Sequence, residues 1–217
     1  MSDSRPTDVK IIMVGAINVG KTSLVTKYAT GKNPGKTKTT KNASYIIKRK
    51  NINGIYYDIK LWDTAGQEKF KSLTQLFMKD SKIALLVYSI DSEESFKALD
   101  DWLKLVKRAN DDDIILGLIA NKIDLASDNT ISIEQGKEYA DKIGAAFKAT
   151  SAIMENENID DIIDILFQKY YQNHLNNTNS LSLTISMDDS RTQKEGCCLG
   201  GGGHHNSSSN NKKAYKK

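Results

Sequence analysis

Val9-Lys10-Ile11-Ile12-Met13-Val14 runs directly into Gly15-Ala16-Ile17-Asn18-Val19-Gly20-Lys21-Thr22-Ser23, and this junction decides the fold. The apolar run is short and nearly continuous, as in a strand buried on both faces, and it ends at a glycine. The segment from that glycine to Thr22 fits G-x-x-x-x-G-K-[ST], and Lys21 to Ala29 then reads as a helix, so the motif sits between a strand and a helix. That context supplies a mechanism. Glycines let successive backbone N–H groups turn inward around a phosphate chain, and the helix amino end adds a positive dipole. Lys21 then bridges the outer phosphates, and Thr22 offers its hydroxyl to Mg²⁺.

Outward from this unit, short apolar runs alternate with amphipathic helical patterns. Ala43 to Arg49 and Ile55 to Leu61 flank Asn53-Gly54, a dipeptide whose tolerance of positive φ suits a tight hairpin, which predicts one antiparallel pair. Further buried strands are predicted over Ile83 to Tyr88, Ile114 to Ala120 and Ala145 to Lys148. Helices are predicted over Ser95 to Arg108, over Ile133 to Lys142 with Ser132 and Gln135 in capping-box spacing, and over Ile159 to Tyr170. In the last, Ile159, Ile162, Ile163, Leu166, Phe167 and Tyr170 form one apolar stripe. The chain is therefore read as α/β: a six-stranded, mostly parallel sheet with one antiparallel edge strand, flanked by about five helices, with ligands at the carboxyl ends of the strands. The loops that follow strands carry the function.

A length of 217 residues fits one domain of roughly 150–180 residues and an appendage. We expect a flexible segment over 1–7, the domain over 8–172, and a disordered tail over 173–217, where Asn, Ser, Gly and Lys replace the apolar residues that offset ordering entropy. No run of about 18 apolar residues occurs, so no membrane-spanning helix is expected. Met1 to Lys10 lacks an apolar signal segment and Ser2 cannot take a myristoyl group, which makes the cytosol the expected compartment. Both cysteines, Cys197 and Cys198, are adjacent in the tail, so the domain holds no disulfide. The net charge is +4, and seven bases (Lys32, Lys36, Lys38, Lys41, Lys48, Arg49, Lys50) lie between Thr30 and Tyr57 with no acid among them. That stretch is either solvated loop charge or a surface for an acidic partner or anionic lipid. Nucleic acid is set aside, since no aromatic platform or recognition helix accompanies the charge.

The base must be identified elsewhere. Asn121-Lys122-Ile123-Asp124 follows a predicted strand and has the form N-K-x-D. An ionised carboxylate only accepts hydrogen bonds and guanine offers two adjacent donors on one edge, so Asp124 selects guanine. Thr150-Ser151-Ala152, after the last strand, is placed to supply a backbone N–H to the guanine oxygen. In Asp63-Thr64-Ala65-Gly66-Gln67, a strand-end carboxylate holds Mg²⁺ through water, Gly66 brings its N–H to a γ-phosphate, and Gln67 orients an attacking water.

These blocks, in this order over residues 15–152, resemble the Ras superfamily of small GTPases. Trp62-Asp63-Thr64-Ala65-Gly66-Gln67-Glu68-Lys69-Phe70 and a polar tail bearing a Cys pair look most like its Rab branch. The resemblance covers roughly 8–172 and implies a P-loop NTPase G-domain that alternates between GTP and GDP forms and acts in vesicle traffic. It implies exchange factors, GTPase-activating proteins and effectors as partners, and a monomer on the cytosolic face of endomembranes. By position, Thr40 looks like the switch-I threonine that reaches Mg²⁺ and the γ-phosphate, with Thr39 an alternative one residue away. The implied catalytic set is Gln67, Lys21 and Thr40, and the implied metal set is Thr22, Thr40 and Asp63. The implied nucleotide contacts are Gly15, Ala16, Ile17, Asn18, Val19, Gly20, Lys21, Thr22, Ser23, Thr40, Asp63, Gly66, Asn121, Lys122, Asp124, Ser151 and Ala152.

The chain also departs from the family. Ile17 stands where relatives carry glycine or serine beside the γ-phosphate, and a side chain stiff at χ1 there crowds Gln67 or an incoming arginine finger. Such a finger is credited with about 10³–10⁵ in rate, so slow hydrolysis is expected. From Ala29 through Ser44 there is no aromatic residue, and Asn33 takes the place of the ring that edges onto guanine. Its loss costs about 0.5–1.5 kcal/mol, so fast GDP release is expected. Lys41-Asn42-Ala43-Ser44-Tyr45 and Phe77-Met78-Lys79-Asp80-Ser81 differ from the Rab pattern, and Ile153 replaces a lysine. Cys197-Cys198 resembles a prenylation pair, yet Leu199 to Lys217 follow it: the extension is removed, the pair is palmitoylated, or no lipid is attached. Three readings result: a Rab-like hydrolysing switch, a GTP-bound binding module with little hydrolysis, and a Ras-like signalling GTPase outside the Rab branch. A P-loop kinase or ATPase fails on the guanine motif.

Overall fold

Alternation along the strands assigns each side chain to one face of the sheet. In the computed structural model β1 (Thr7–Val14) sends Val9, Ile11 and Met13 into one apolar cluster and Ile12 and Val14 into another. β4 (Ile83–Ser89) divides the same way, with Ile83, Leu85 and Val87 opposite Ala84, Leu86 and Tyr88. All of these are fully buried, as expected of a sheet covered on both faces. The structure describes residues 7–188 except Lys36, Lys38, Lys41, Asn42, Asn53, 67–70, 111–113 and Asn129, and side chains neither of 71–74 nor beyond 175.

The remaining strands are β2 (Ser44–Ile52), β3 (Ile55–Asp63), β5 (Ile115–Asn121) and β6 (Ala146–Ala149). The helices are α1 (Lys21–Thr30), α2 (Lys71–Met78), α3 (Glu93–Lys97), α4 (Leu99–Ala109), α5 (Ile133–Ile143) and α6 (Asp160–Asp188). The sheet order is β2-β3-β1-β4-β5-β6, parallel throughout except for the β2–β3 pair. Ile52 pairs with Ile55, which leaves a two-residue turn, and Gly54 there donates its N–H to Asn51 Oδ1 at 3.1 Å. Asn53 itself lies outside the described residues. α1 and α6 cover one face through Leu24, Val25, Tyr28, Ile162, Ile163, Leu166 and Phe167. Met78 of α2, Trp102 and Val106 of α4 and Ala140 of α5 cover the other.

Several boundaries differ from expectation. β1 begins at Thr7, paired with Tyr57, so the segment read as flexible through residue 7 is in the sheet at its last position. α2 has no counterpart in the pattern reading, because its eight residues are too short to establish a helical period. The helix expected over Ser95 to Arg108 starts earlier and is broken at Ala98, with Ser92 Oγ accepting the Ser95 N–H at 3.1 Å as its cap. Counted as one broken rod, α3 and α4 bring the helical bodies to the five expected. α6 does not stop at Tyr170, where the expected helix ends, but reaches Asp188. Between Asp160 and Asp188 the chain has neither glycine nor proline, so no residue of the sequence breaks the helix. The chain divides into two units, residues 1–176 and 177–217, and Cys197 and Cys198 lie outside the described residues. No helix among the described residues is long and apolar enough to cross a membrane.

The basic stretch is partly neutralised by the fold. Lys48 pairs with Asp160 at 2.8 Å, Arg49 forks onto Asp58 at 2.7 and 3.0 Å, and Lys50 pairs with Asp164. The end of that stretch is thus an anchor of β2 to α6 and β3, and it is not a free basic surface.

Gly117 of β5 sets how closely α6 seats. A Cβ there would lie 2.7 Å from Leu166 Cδ1 and 2.8 Å from Leu85 Cδ2. Leu166→Ala is expected to cost about 2–5 kcal/mol and Gly117→Ala about 1–3 kcal/mol. In urea denaturation the double variant should lose less than the sum, because the shortened side chain makes room for the added methyl. Strict additivity would refute this packing account.

Candidate active site at the carboxyl ends of the strands

The loop from Gly15 to Gly20 joins β1 to α1 in a conformation that mixes left-handed residues into a tight curl. Asn18 has φ 61° and Gly20 has φ 92° as the residue preceding α1. At Gly20 a side chain is excluded twice over, by φ and because its Cβ would lie 2.3 Å from Asn121 Nδ2. The Asn121 amide donates to the Val19 carbonyl at 2.7 Å while its Oδ1 is buried without a hydrogen-bond partner, and the residue is 1% exposed. Asn121 therefore ties the end of β5 to the phosphate-loop backbone. Lys21 Nζ donates to the carbonyls of Gly15 at 2.9 Å and Ala16 at 2.8 Å. Burial pushes its pKa down to about 8 despite the nearby Asp63 charge. A desolvated ammonium held by neutral carbonyls is suited to an anion.

Three oxygen-bearing side chains from distant segments meet beside it. Thr22 Oγ1 lies 2.5 Å from Thr40 Oγ1 and donates to Asp63 Oδ2 at 2.7 Å, and Thr40 Oγ1 is 3.4 Å from that same oxygen. Asp63 Oδ1 is buried without a hydrogen-bond partner. Burial raises the Asp63 pKa, against the hydrogen bond from Thr22 and the charge of Lys21. Hard oxygen donors with one buried lone pair unsatisfied match the needs of Mg²⁺. Of the two neighbouring threonines, both line the cavity, but Thr40 is the one whose hydroxyl joins this cluster. The cavity, about 210 Å³, is also lined by Ile17, Asn18, Ser23, Thr64, Gly66 and Lys122. Ile17 is 43% exposed on its wall. Gln67 lies outside the described residues.

A second cluster lies beyond the loop. Lys122 adopts φ 64°, and its ammonium is 3.5 Å from Asp91 Oδ2. Asp124, exposed at the rim, accepts a hydrogen bond from Ser151 Oγ at 2.5 Å, so the two separate motifs meet. Ser151 also accepts the Ile153 N–H at 3.2 Å, and Ser151 and Ala152 are buried.

Pattern reading missed one side chain here, Lys27, and the contact made by another, Asn33. Lys27 is 5% exposed and donates to the carbonyls of Ser151, at 3.3 Å, and Met154. Its signal was a charge three residues after Leu24, on the buried stripe of α1. Asn33 Nδ2 donates to the Ile153 carbonyl at 3.1 Å, a contact between segments too remote for any local pattern.

The model of the Ras family matches residues 10–172. The Ras-related protein Rab-21 of Homo sapiens is 38% identical over 158 residues, covering 73% of this chain and 70% of that protein. Rab-21 of Geodia cydonium is 41% identical over 143 residues, 66% of this chain and 62% of that one. The Ras-related protein Rab-30 of Homo sapiens is 35% identical over 193 residues, 87% of this chain and 94% of its own length.

If Asn121 serves chiefly as the tie between strand and loop, Asn121→Ala should destabilise the protein without any ligand. Leaving the buried Val19 carbonyl unpaired is worth about 1–3 kcal/mol. Chemical denaturation of ligand-free protein measures it, and an unchanged midpoint would contradict the assignment.

Proposed function

The chain belongs to the Ras family, and from that premise we propose that it is a Rab-like small GTPase, a switch that binds GTP, hydrolyses it to GDP and phosphate, and acts in membrane traffic. The observation that carries this reading is the meeting of Thr22, Thr40 and Asp63 beside Lys21, since these residues come from three separate segments. Thr22 and Thr40, with Asp63 behind them, are the residues that would hold Mg²⁺, which when bound neutralises charge on the β- and γ-phosphates. Lys21, whose ammonium has three donors and gives two to the Gly15 and Ala16 carbonyls, meets the outer phosphates with its positive charge. Gln67 is the residue we assign to placing the attacking water, and Gly66 the one whose N–H meets the γ-phosphate. Asp124, aimed by Ser151, reads the two donors of guanine while the Ala152 N–H meets its oxygen.

Loss of the γ-phosphate frees Thr40, and the segment that carries it then loses its anchor. Exchange factors, GTPase-activating proteins and effectors read that difference. We assign the protein to the monomeric state and to the cytosolic face of membranes, reached through lipid on Cys197 and Cys198. Family membership favours turnover over a module that binds GTP without hydrolysing it. Ile17 on the cavity wall makes that turnover slow.

Two measurements test this. Asp124→Ala should weaken GTP binding by about 30- to 150-fold, the worth of a charged bidentate contact of about 2–3 kcal/mol, and unchanged affinity would remove the guanine assignment. Ile17→Ser should speed single-turnover hydrolysis, alone or with an activating protein. Equal rates would show that the isoleucine does not limit the reaction.

A further inference from the structure

Lys27 and Asn33 belong to none of the phosphate or guanine motifs, yet both grip the four-residue loop 151–154. Lys27 Nζ donates to the Ser151 and Met154 carbonyls, and Asn33 Nδ2 donates to the Ile153 carbonyl at 3.1 Å. The Asn33 amide is itself held, because its Oδ1 accepts the Gly35 N–H at 3.0 Å. On the loop's other side Ser151 Oγ accepts the Ile153 N–H and donates to Asp124. A buried ammonium in the last turn of α1 is an expensive way to fill space, and it persists where its hydrogen bonds are needed.

Peptide geometry gives those bonds a consequence. In a planar trans peptide the C=O of one residue and the N–H of the next point in opposite directions. Lys27 on the Ser151 carbonyl therefore fixes the direction of the Ala152 N–H, turning it away from α1. Asn33 stands just past Gly31, the residue closing α1, and heads the segment that leads to Thr40.

We propose that Lys27 and Asn33 are positioning residues for base recognition: they hold the 151–154 loop so that the Ala152 N–H is aimed at the 6-oxygen of guanine, and in doing so they slow nucleotide release. This rests on the guanine-binding reading above. In this chain a polar clasp stands where an aromatic ring was expected.

The test compares dissociation of GDP and of 6-thio-GDP from the full chain. The sulfur analogue keeps both donors facing Asp124 but offers a poor acceptor at position 6. Lys27→Met is expected to speed GDP release about tenfold or more, as for a charged hydrogen bond, with 6-thio-GDP release changed far less, and Lys27→Arg should restore the original rate. Asn33→Asp keeps the acceptor for Gly35 but replaces the donor to Ile153 with a negative charge facing that carbonyl, and should speed GDP release about fivefold or more. Since Asn33 is exposed, that variant tests the clasp even if Lys27→Met fails to fold. Equal acceleration of both nucleotides in Lys27→Met without rescue by arginine would make the lysine merely structural. Unaltered GDP release in Asn33→Asp would overturn its part. If the unsubstituted protein binds no GDP, the proposed function itself falls; if it binds GDP and the variants behave as it does, only the clasp falls.

Discussion

A loop that turns its N–H groups inward to meet phosphate must send its carbonyls outward, and every buried carbonyl needs a donor. This constraint organises the molecule. The Gly15 and Ala16 carbonyls are taken by Lys21, the Val19 carbonyl by Asn121, and the Met13 carbonyl at the strand end by Thr64. Each donor belongs to a segment with a second role, since Lys21 opens α1, Asn121 heads the N-K-x-D motif, and Thr64 follows Asp63. Satisfying the loop backbone thus assembles the site. The parallel order around β1 makes this possible, because β3 and β4 flank it and all three end on the same side.

The site is electrostatically incomplete by itself. Lys21 is desolvated enough to lower its pKa, and Asp63 is buried enough to raise its own while keeping one oxygen unpaired. The two groups push in opposite directions, and both would be relieved by a ligand that is anionic at one end and carries a hard cation. Local instability of this kind is what a switch requires, and the Thr40 hydroxyl is tied into it through Thr22 and Asp63. The frame behind it is densely packed: β4 is buried throughout, and β1 is buried from Ile11 onward.

Much of the frame was legible in the chain. The near-continuous apolar runs of β1, β4 and β5, the Asn-Gly hairpin and the Ser132–Gln135 capping box, whose two bonds measure 3.1 and 2.9 Å, are local features and emerge from local patterns. The phosphate loop was equally plain, because its spacing is dictated by the backbone itself. What escaped depends on remote partners. Lys48 and Lys50 looked like free surface charge until Asp160 and Asp164 of α6 came beside them. Asn121 was read as a nucleotide contact, and the bond its amide also makes to the Val19 carbonyl could not be read from the motif. Lys27 and Asn33 carry no motif because the loop they grip lies more than a hundred positions away.

The most direct measurement is isothermal titration calorimetry of ligand-free protein with GDP and, separately, ADP, in the presence of magnesium. The account requires a single saturable site for GDP that weakens on chelation of the metal, with no comparable heat for ADP. Equal binding of the two nucleotides, or no heat with GDP from folded protein, would contradict it.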